Sequence, residues 1–195
     1  NRSMPSGSEI IVIGGGVIGL ATAIELRLLG AEVTILCKDF KAAAGNAAAG
    51  MLAPQAEQIA PGAMLDLCLA SRDLYPEWVR KIESISGVDA GYWQCGILAP
   101  RYTNTDPGVD WLDTRWRSLS LGESIHQYQS GLSESVVGGY WYPADGQVDN
   151  RALIRSLSIA SQSLGIKFRD GVAVTTIHRS QGRVTHLETS QGDIC

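Results

Sequence analysis

Glu9-Ile-Ile-Val-Ile-Gly-Gly-Gly-Val-Ile-Gly19 is the stretch that decides the fold. A short, apolar, β-branched run reads as a buried strand, breaks at Gly14-x-Gly16-x-x-Gly19, and passes directly into a helical pattern. A dinucleotide pyrophosphate needs that order of events. Gly14 permits the tight turn and Gly16 lets the backbone approach the phosphates. Gly19 lets the helix pack close to the strand, and the helix N-terminus then aims its free N–H groups at the negative charge.

Working outward, Val17, Leu20, Ile24 and Leu28 recur at helical spacing, and Gly30 closes the helix. The uncharged run from Ile10 to Ile24 could imitate a secretion signal, but Glu9 stands directly before it and Arg2 is the whole of its positive flank. It is also shorter than the roughly 18 apolar residues a spanning helix requires. This is the first βα unit of a soluble fold. The composition agrees: 45% hydrophobic and 18% charged residues are ordinary for a globular protein. A net charge of −4 supplies no electrostatic footprint for nucleic acid or an anionic membrane. Cys37, Cys68, Cys95 and Cys195 are scattered, and with His126, His178 and His186 they show no metal-ligand spacing. They read as reduced thiols of a cytoplasmic protein, with no metal site.

Val33 to Cys37 is the second strand. Dinucleotide-binding folds place an acidic residue at its end for the adenosine ribose. Cys37 occupies that place here, followed by Lys38 and Asp39. Asp39 suits the ribose if the strand end is displaced, and is otherwise a solvated loop residue. Lys38 reads alternatively as a partner for a 2′-phosphate, a reading that one lysine does not decide. Next comes Ala42-Ala-Ala-Gly-Asn-Ala-Ala-Ala-Gly50, almost entirely alanine and glycine. Either it is a plain buried helix, which alanine favours, or something large and flat lies against its backbone.

Together these segments resemble the D-amino-acid oxidase family of FAD-dependent amine oxidases, in particular its glycine oxidases of thiamine biosynthesis. The resemblance runs through Val12 to Leu20, Ala48-Ala-Gly-Met-Leu-Ala-Pro-Gln-Ala-Glu57, Ser71 to Tyr75 with Gly87-Val88, Cys95 to Leu98, and Tyr142-Pro-Ala-Asp-Gly-Gln-Val-Asp149. It implies that Gly14, Gly15, Gly16, Val17, Ile18 and Gly19 hold the FAD pyrophosphate. Lys38, Asp39, Ala44, Gly45 and Asn46 follow as cofactor residues, and Val174 meets the adenine. Ala49, Gly50 and Met51 lie beside the isoalloxazine ring, with Met51 also facing the substrate and Glu57 attracting its ammonium. The family's ribose glutamate is replaced by Cys37, and its hydroxyl-bearing residues by Ala44, Gly45 and Asn46.

The rest of the chain supplies further elements. Pro61 to Gly87 reads as helix in two pieces, with a kink or fresh start at Pro76. Tyr92 to Pro100 reads as one strand, Trp111 to Leu119 as a helix closed near Gly122, and Tyr140-Trp-Tyr142 as an aromatic strand. Asp149 caps a helix carrying Leu153, Leu157, Ala160 and Leu164, stopped by Gly165. Ile166 to Asp170 returns to the parallel sheet. Val172 to Ile177, Arg183 to Thr189 and a strand from Asp193 form a β-meander turning at Ser180-Gln-Gly182 and Gln191-Gly192. The expected architecture is α/β: a Rossmann-like FAD-binding domain over residues 8–90 and 143–195, with a βαβ dinucleotide fold and a β-meander. It is interleaved with part of an α+β substrate domain over 91–142.

The resemblance implies oxidative deamination of glycine, with O2 and a small amino acid as reactants, hydrogen peroxide as product, and a fused or partner thiazole synthase. A homo-oligomer is a further expectation. No residue of this half reads as catalytic, because the cofactor carries the redox step. The opening on Asn1 and the stop at Cys195 suggest a fragment, expected to bind FAD weakly and to lack oxidase activity by itself. Three alternatives stay open: an oxidase or dehydrogenase of D-amino acids, sarcosine or proline; an NAD(P)-dependent dehydrogenase sharing the first βαβ unit; and a non-catalytic FAD-binding module.

Overall fold

A computed structural model describes residues 9–102, 119–122 and 124–194. The chain divides into two compact units, Asn1–Ala49 with Val79–Gly91 and Asp149–Cys195, and Gly50–Trp78 with Tyr92–Val148.

In the first unit, β1 (Glu9–Ile13), β2 (Glu32–Cys37) and β9 (Lys167–Asp170) form a parallel sheet in the order β1-β2-β9. Val33, Ile35, Leu36 and Cys37 of the central strand are all buried, as a parallel strand covered on both faces requires. Two helices pack together beside this sheet: α1 (Val17–Leu28) through Leu20, Ala23 and Ile24, and α4 (Asn150–Ser163) through Leu153, Ile154, Leu157 and Ala160. Arg27 fastens their C-terminal ends, its Nε donating to the Leu164 carbonyl at 2.9 Å. A cation is favoured there by the negative end of the helix dipole. Gly30 (φ +98°) and Gly165 (φ +72°) take the left-handed conformation that ends each helix. Strands β10 (Val174–Ser180) and β11 (Arg183–Thr189) form a hairpin. Its turn residues Gln181 and Gly182 both have positive φ, 49° and 78°, as a tight hairpin turn of matching twist demands. The third meander strand expected from Asp193 is reduced to a single bridge, Leu187 to Ile194. Ile194 packs on Leu36, Val172 and Leu187.

The second unit holds two antiparallel sheets. One has the order β3-β8-β4, from Met51–Leu52, Gly146–Val148 and Tyr92–Trp93; the other has the order β5-β7-β6, from Ile97–Arg101, Gly138–Tyr142 and Leu119–Leu121. The single strand expected over Tyr92 to Pro100 is therefore two strands in different sheets. Gly96, at φ +71° and where an added Cβ would collide with the Trp141 indole, makes the break. A short helix, α3 (Ile125–Tyr128), buries Ile125 against Val136, Leu98, Leu132 and Trp141.

Helix α2 (Ala63–Ser86) is one 24-residue helix with Pro76 inside it, so of the two expectations at Pro76 the fresh start is excluded. The expected helix over 111–119 lies outside the described residues, except that Leu119 belongs to a strand. Ala42 to Gly50 is no buried helix: only Ala44–Asn46 makes a short 3-10 turn, and Ala42, Ala44, Ala47, Ala48 and Ala49 are exposed. The two compact units also draw boundaries different from the division at 8–90, 91–142 and 143–195. Met51 and Leu52 pair with Gln147 and Gly146, so the segment after Gly50 groups with Tyr92–Val148.

Candidate functional site

The glycine turn of the first unit is built for close approach. Gly14 has φ +106° and donates its N–H to the Leu36 carbonyl at 2.8 Å, which ties the turn to the central strand. A Cβ at Gly19 would run into the Gly14 carbonyl oxygen, so only glycine lets the helix start this near the turn. Gly15 is buried: a Cβ there would lie 2.8 Å from the Phe168 ring and 2.9 Å from the Cys37 sulfur. Gly14 and Gly16, by contrast, face open space. Helix α1 begins with no side-chain cap at Gly16 and no acidic residue in its first turn. The first-turn N–H groups of Val17, Ile18 and Gly19 have no partner inside a helix, and this terminus carries the positive end of the dipole. Ile18, at 84% exposure, leaves the approach clear.

The residues after β2 arrange themselves without an obvious ribose acceptor. Cys37 is 5% exposed and buried against Gly15. Lys38 and Asp39 are exposed. Asp39 Oδ1 accepts from the Lys41 and Ala42 N–H groups at 3.0 and 3.2 Å, closing a local turn. Asn46 Nδ2 donates to the Phe40 and Lys41 carbonyls at 3.3 and 3.1 Å. Asn150 Nδ2 donates to the Gly45 carbonyl, and Gly45 lies against Ile154 and Val17 with no room for a side chain. The Ala44–Asn46 turn is thus fixed to α4 while its alanine neighbours stay exposed. Val174 opens β10, half-buried against the Leu36, Val172 and Leu187 cluster.

In the second unit, Met51 and Glu57 line one pocket of about 280 Å³, together with Leu67, Cys68 and Arg72 of α2. The turn between them is held by a network that sequence reasoning missed. Asp145 is fully buried and accepts from the Gln55 and Ala56 N–H groups at 3.2 and 2.9 Å. Arg72 Nη1 donates to Asp145 Oδ1 at 2.9 Å and to Gln55 Oε1 at 2.7 Å. Burial raises the Asp145 carboxyl above its ordinary range, opposed by the Ala56 N–H, by Arg72 and by the Gln55 N–H. Arg72 is therefore committed inside the protein, and Glu57 is the exposed charge on the pocket wall. The conspicuous Asp-Gly-Gln-Val-Asp segment was the available signal for Asp145. Its partner Arg72 is 73 residues away, a distance at which no local pattern connects them.

Comparison with known proteins decides the cofactor. The profile of the DAO, FAD dependent oxidoreductase family matches residues 9–195. The chain belongs to this FAD-dependent oxidoreductase family. FAD is accordingly the cofactor of this family, which sets the NAD(P) alternative aside. Within the family, the chain is 53% identical over 190 residues to the bifunctional protein ThiO/ThiG of a Nostoc strain, covering 95% of this chain and 29% of that protein. It is 31% identical to the glycine oxidase of Geobacillus kaustophilus, covering 94% of this chain and 51% of that enzyme. The crystal structure of glycine oxidase from Geobacillus kaustophilus superposes with a TM-score of 0.86 at 27% identity, over 97% of this chain and 53% of that one. The chain thus spans about half or less of the length of these relatives. Among the described residues, no helix is long and apolar enough to cross a membrane, and no cluster of three or more His, Cys, Asp or Glu side chains could hold a metal.

Proposed function

We propose that this chain is the FAD-binding part of an enzyme that oxidises glycine, converting glycine, O2 and water to glyoxylate, ammonia and hydrogen peroxide. The observation that carries the reading is the uncapped, acid-free start of α1 behind a glycine turn, in a chain 53% identical to a ThiO/ThiG protein. Gly14, Gly15, Gly16, Val17, Ile18 and Gly19 hold the pyrophosphate: Gly14 and Gly16 leave it space, Gly15 packs the turn onto the sheet, and the first-turn N–H groups donate. Lys38, Asp39, Ala44, Gly45, Asn46 and Val174 serve the rest of the nucleotide, and Ala49, Gly50 and Met51 the flavin ring. When bound, FAD supplies the acceptor for the hydride leaving the glycine α-carbon. Met51 borders the substrate. Glu57 draws the ammonium end, because Arg72 beside it is already neutralised by Asp145. No residue here is asked to abstract a proton.

A cytoplasmic location and a fused thiazole synthase complete the reading, the latter supported by the bifunctional name of the relatives. A D-amino acid or sarcosine as substrate is the second reading, favoured by the breadth of oxidases sharing this fold. The test is anaerobic addition of glycine to the longest natural form of the protein, recorded by visible absorption. Bleaching of the oxidised flavin band is the expected result. A stable band with glycine that bleaches with D-alanine or sarcosine would transfer the assignment to those amines.

A further inference from the structure

The Asp145-Gly-Gln-Val-Asp149 segment contains one residue with no structural task. Asp145 fixes the turn at Gln55 and Ala56. Gly146 admits the Trp93 carbonyl, which would lie 2.8 Å from any Cβ placed there. Val148 is 6% exposed core, and Asp149 caps α4. Gln147, however, has a side-chain amide with no hydrogen-bond partner among the described residues. It stands on the central strand of the β3-β8-β4 sheet, directly opposite Met51 on one side and Trp93 on the other.

Residues directly paired across antiparallel strands point to the same face. Met51, Gln147 and Trp93 therefore form one row, about 10 Å across two strand spacings. The neighbouring pairs, Leu52 with Gly146 and Tyr92 with Val148, occupy the other face and are buried or half-buried. The row's face is open, with Met51 at 45% and Trp93 at 63% exposure. A solvated sheet face ordinarily carries charges. This one carries a thioether, an unengaged amide and an indole, which is the lining of a small-molecule site: apolar walls with one placed polar group.

We propose that Trp93 and Gln147 are specificity-determining residues that extend the substrate wall begun by Met51. This rests on the reading above that Met51 borders the amino acid. Gln147 hydrogen-bonds the zwitterion, and the Trp93 indole limits the bulk tolerated at the α-carbon. The wall admits glycine and penalises larger amino acids.

The experiment measures kcat and KM for glycine, D-alanine and D-proline with the FAD-loaded, full-length natural protein and its Trp93→Ala and Gln147→Ala variants. The flavin spectrum is recorded for each. Trp93→Ala should move the D-proline to glycine ratio of kcat/KM at least about tenfold toward D-proline, the scale on which a pocket reads a few carbon atoms. Gln147→Ala should raise KM for glycine about tenfold with the flavin bands unchanged. Should Trp93→Ala fail to fold, Trp93→Leu keeps apolar bulk without the ring and should still shift the ratio. Active variants with unmoved selectivity and KM would overturn the row alone. Loss of FAD from folded variants would assign the row to the cofactor and overturn the substrate contact. A flavin-loaded parent enzyme inert to all three amines would overturn the underlying reading as well.

Discussion

The glycine turn Gly14–Gly19 and the Asp145–Asp149 segment are the two most conspicuous stretches of this chain, and they treat backbone N–H groups in opposite ways. In the second segment the carboxylates satisfy them from within. Asp145 takes those of Gln55 and Ala56, and Asp149 Oδ1 takes those of Arg151 and Ala152 at 2.9 and 3.1 Å. In the first, α1 starts with neither a side-chain cap nor an acidic residue in its first turn. A helix start closed by its own aspartate is a structural joint, whereas one left bare behind a glycine turn suits an anion, which is why we propose the pyrophosphate there.

The largest effect should come from removing the buried end of this comparison. Asp145→Ala removes the buried partner of Arg72, whose side chain is 12% exposed and keeps Gln55 and the exposed Asp73, and strands two N–H groups. Breaking a buried pair in this way costs about 3–5 kcal/mol. Urea unfolding of the full-length protein should show that loss, and an unchanged midpoint would mean the pair is idle. Gly19→Ala comes next, because its Cβ meets the Gly14 carbonyl. Overpacking of about 1–3 kcal/mol should appear as FAD binding weakened roughly 10- to 100-fold in a titration of the apoprotein. Wild-type affinity would show that the turn does not bear on the cofactor. Asp149→Ala should cost about 1 kcal/mol, a melting shift of roughly 2–4 °C, and leave FAD affinity intact. Equal damage to affinity would erase the contrast between the two segments.

The smallest effect concerns pH. Burial raises the Asp145 carboxyl above its ordinary value of 3.8. A carboxyl that holds its proton more tightly folded than unfolded contributes most stability below the unfolded value. That contribution declines as pH rises through the raised one. Asp145→Asn should abolish the decline, read as the difference in unfolding free energy between the two proteins from about pH 4 to pH 7. A pH-independent difference would place the Asp145 proton affinity at its unfolded value.

Much of the first unit was legible in sequence because its signals are local. The strand, the glycine spacing, the Asp149 cap and the Ser180-Gln-Gly182 turn each lie within a few residues of the structure they specify. The errors arose where a local rule met a tertiary contact. Pro76 was read as a kink or a fresh start, and α2 runs through it without restarting. Of the two readings of 42–50, the buried helix suited by propensity fails, since Ala42, Ala44, Ala47, Ala48 and Ala49 lie exposed. Tyr92 to Pro100 looked continuous until Gly96 turned against Trp141.

The sequence by itself determined the β1, glycine-turn and α1 unit at which we propose the FAD pyrophosphate sits, because that unit is specified by backbone spacing within one turn of chain. Only the tertiary structure decided that Asp145 is spent on Arg72 and the turn at Gln55, and that Gln147 stands between Met51 and Trp93. Strand register and a buried ion pair join residues far apart in the chain. No periodicity in the sequence encodes which of them will meet.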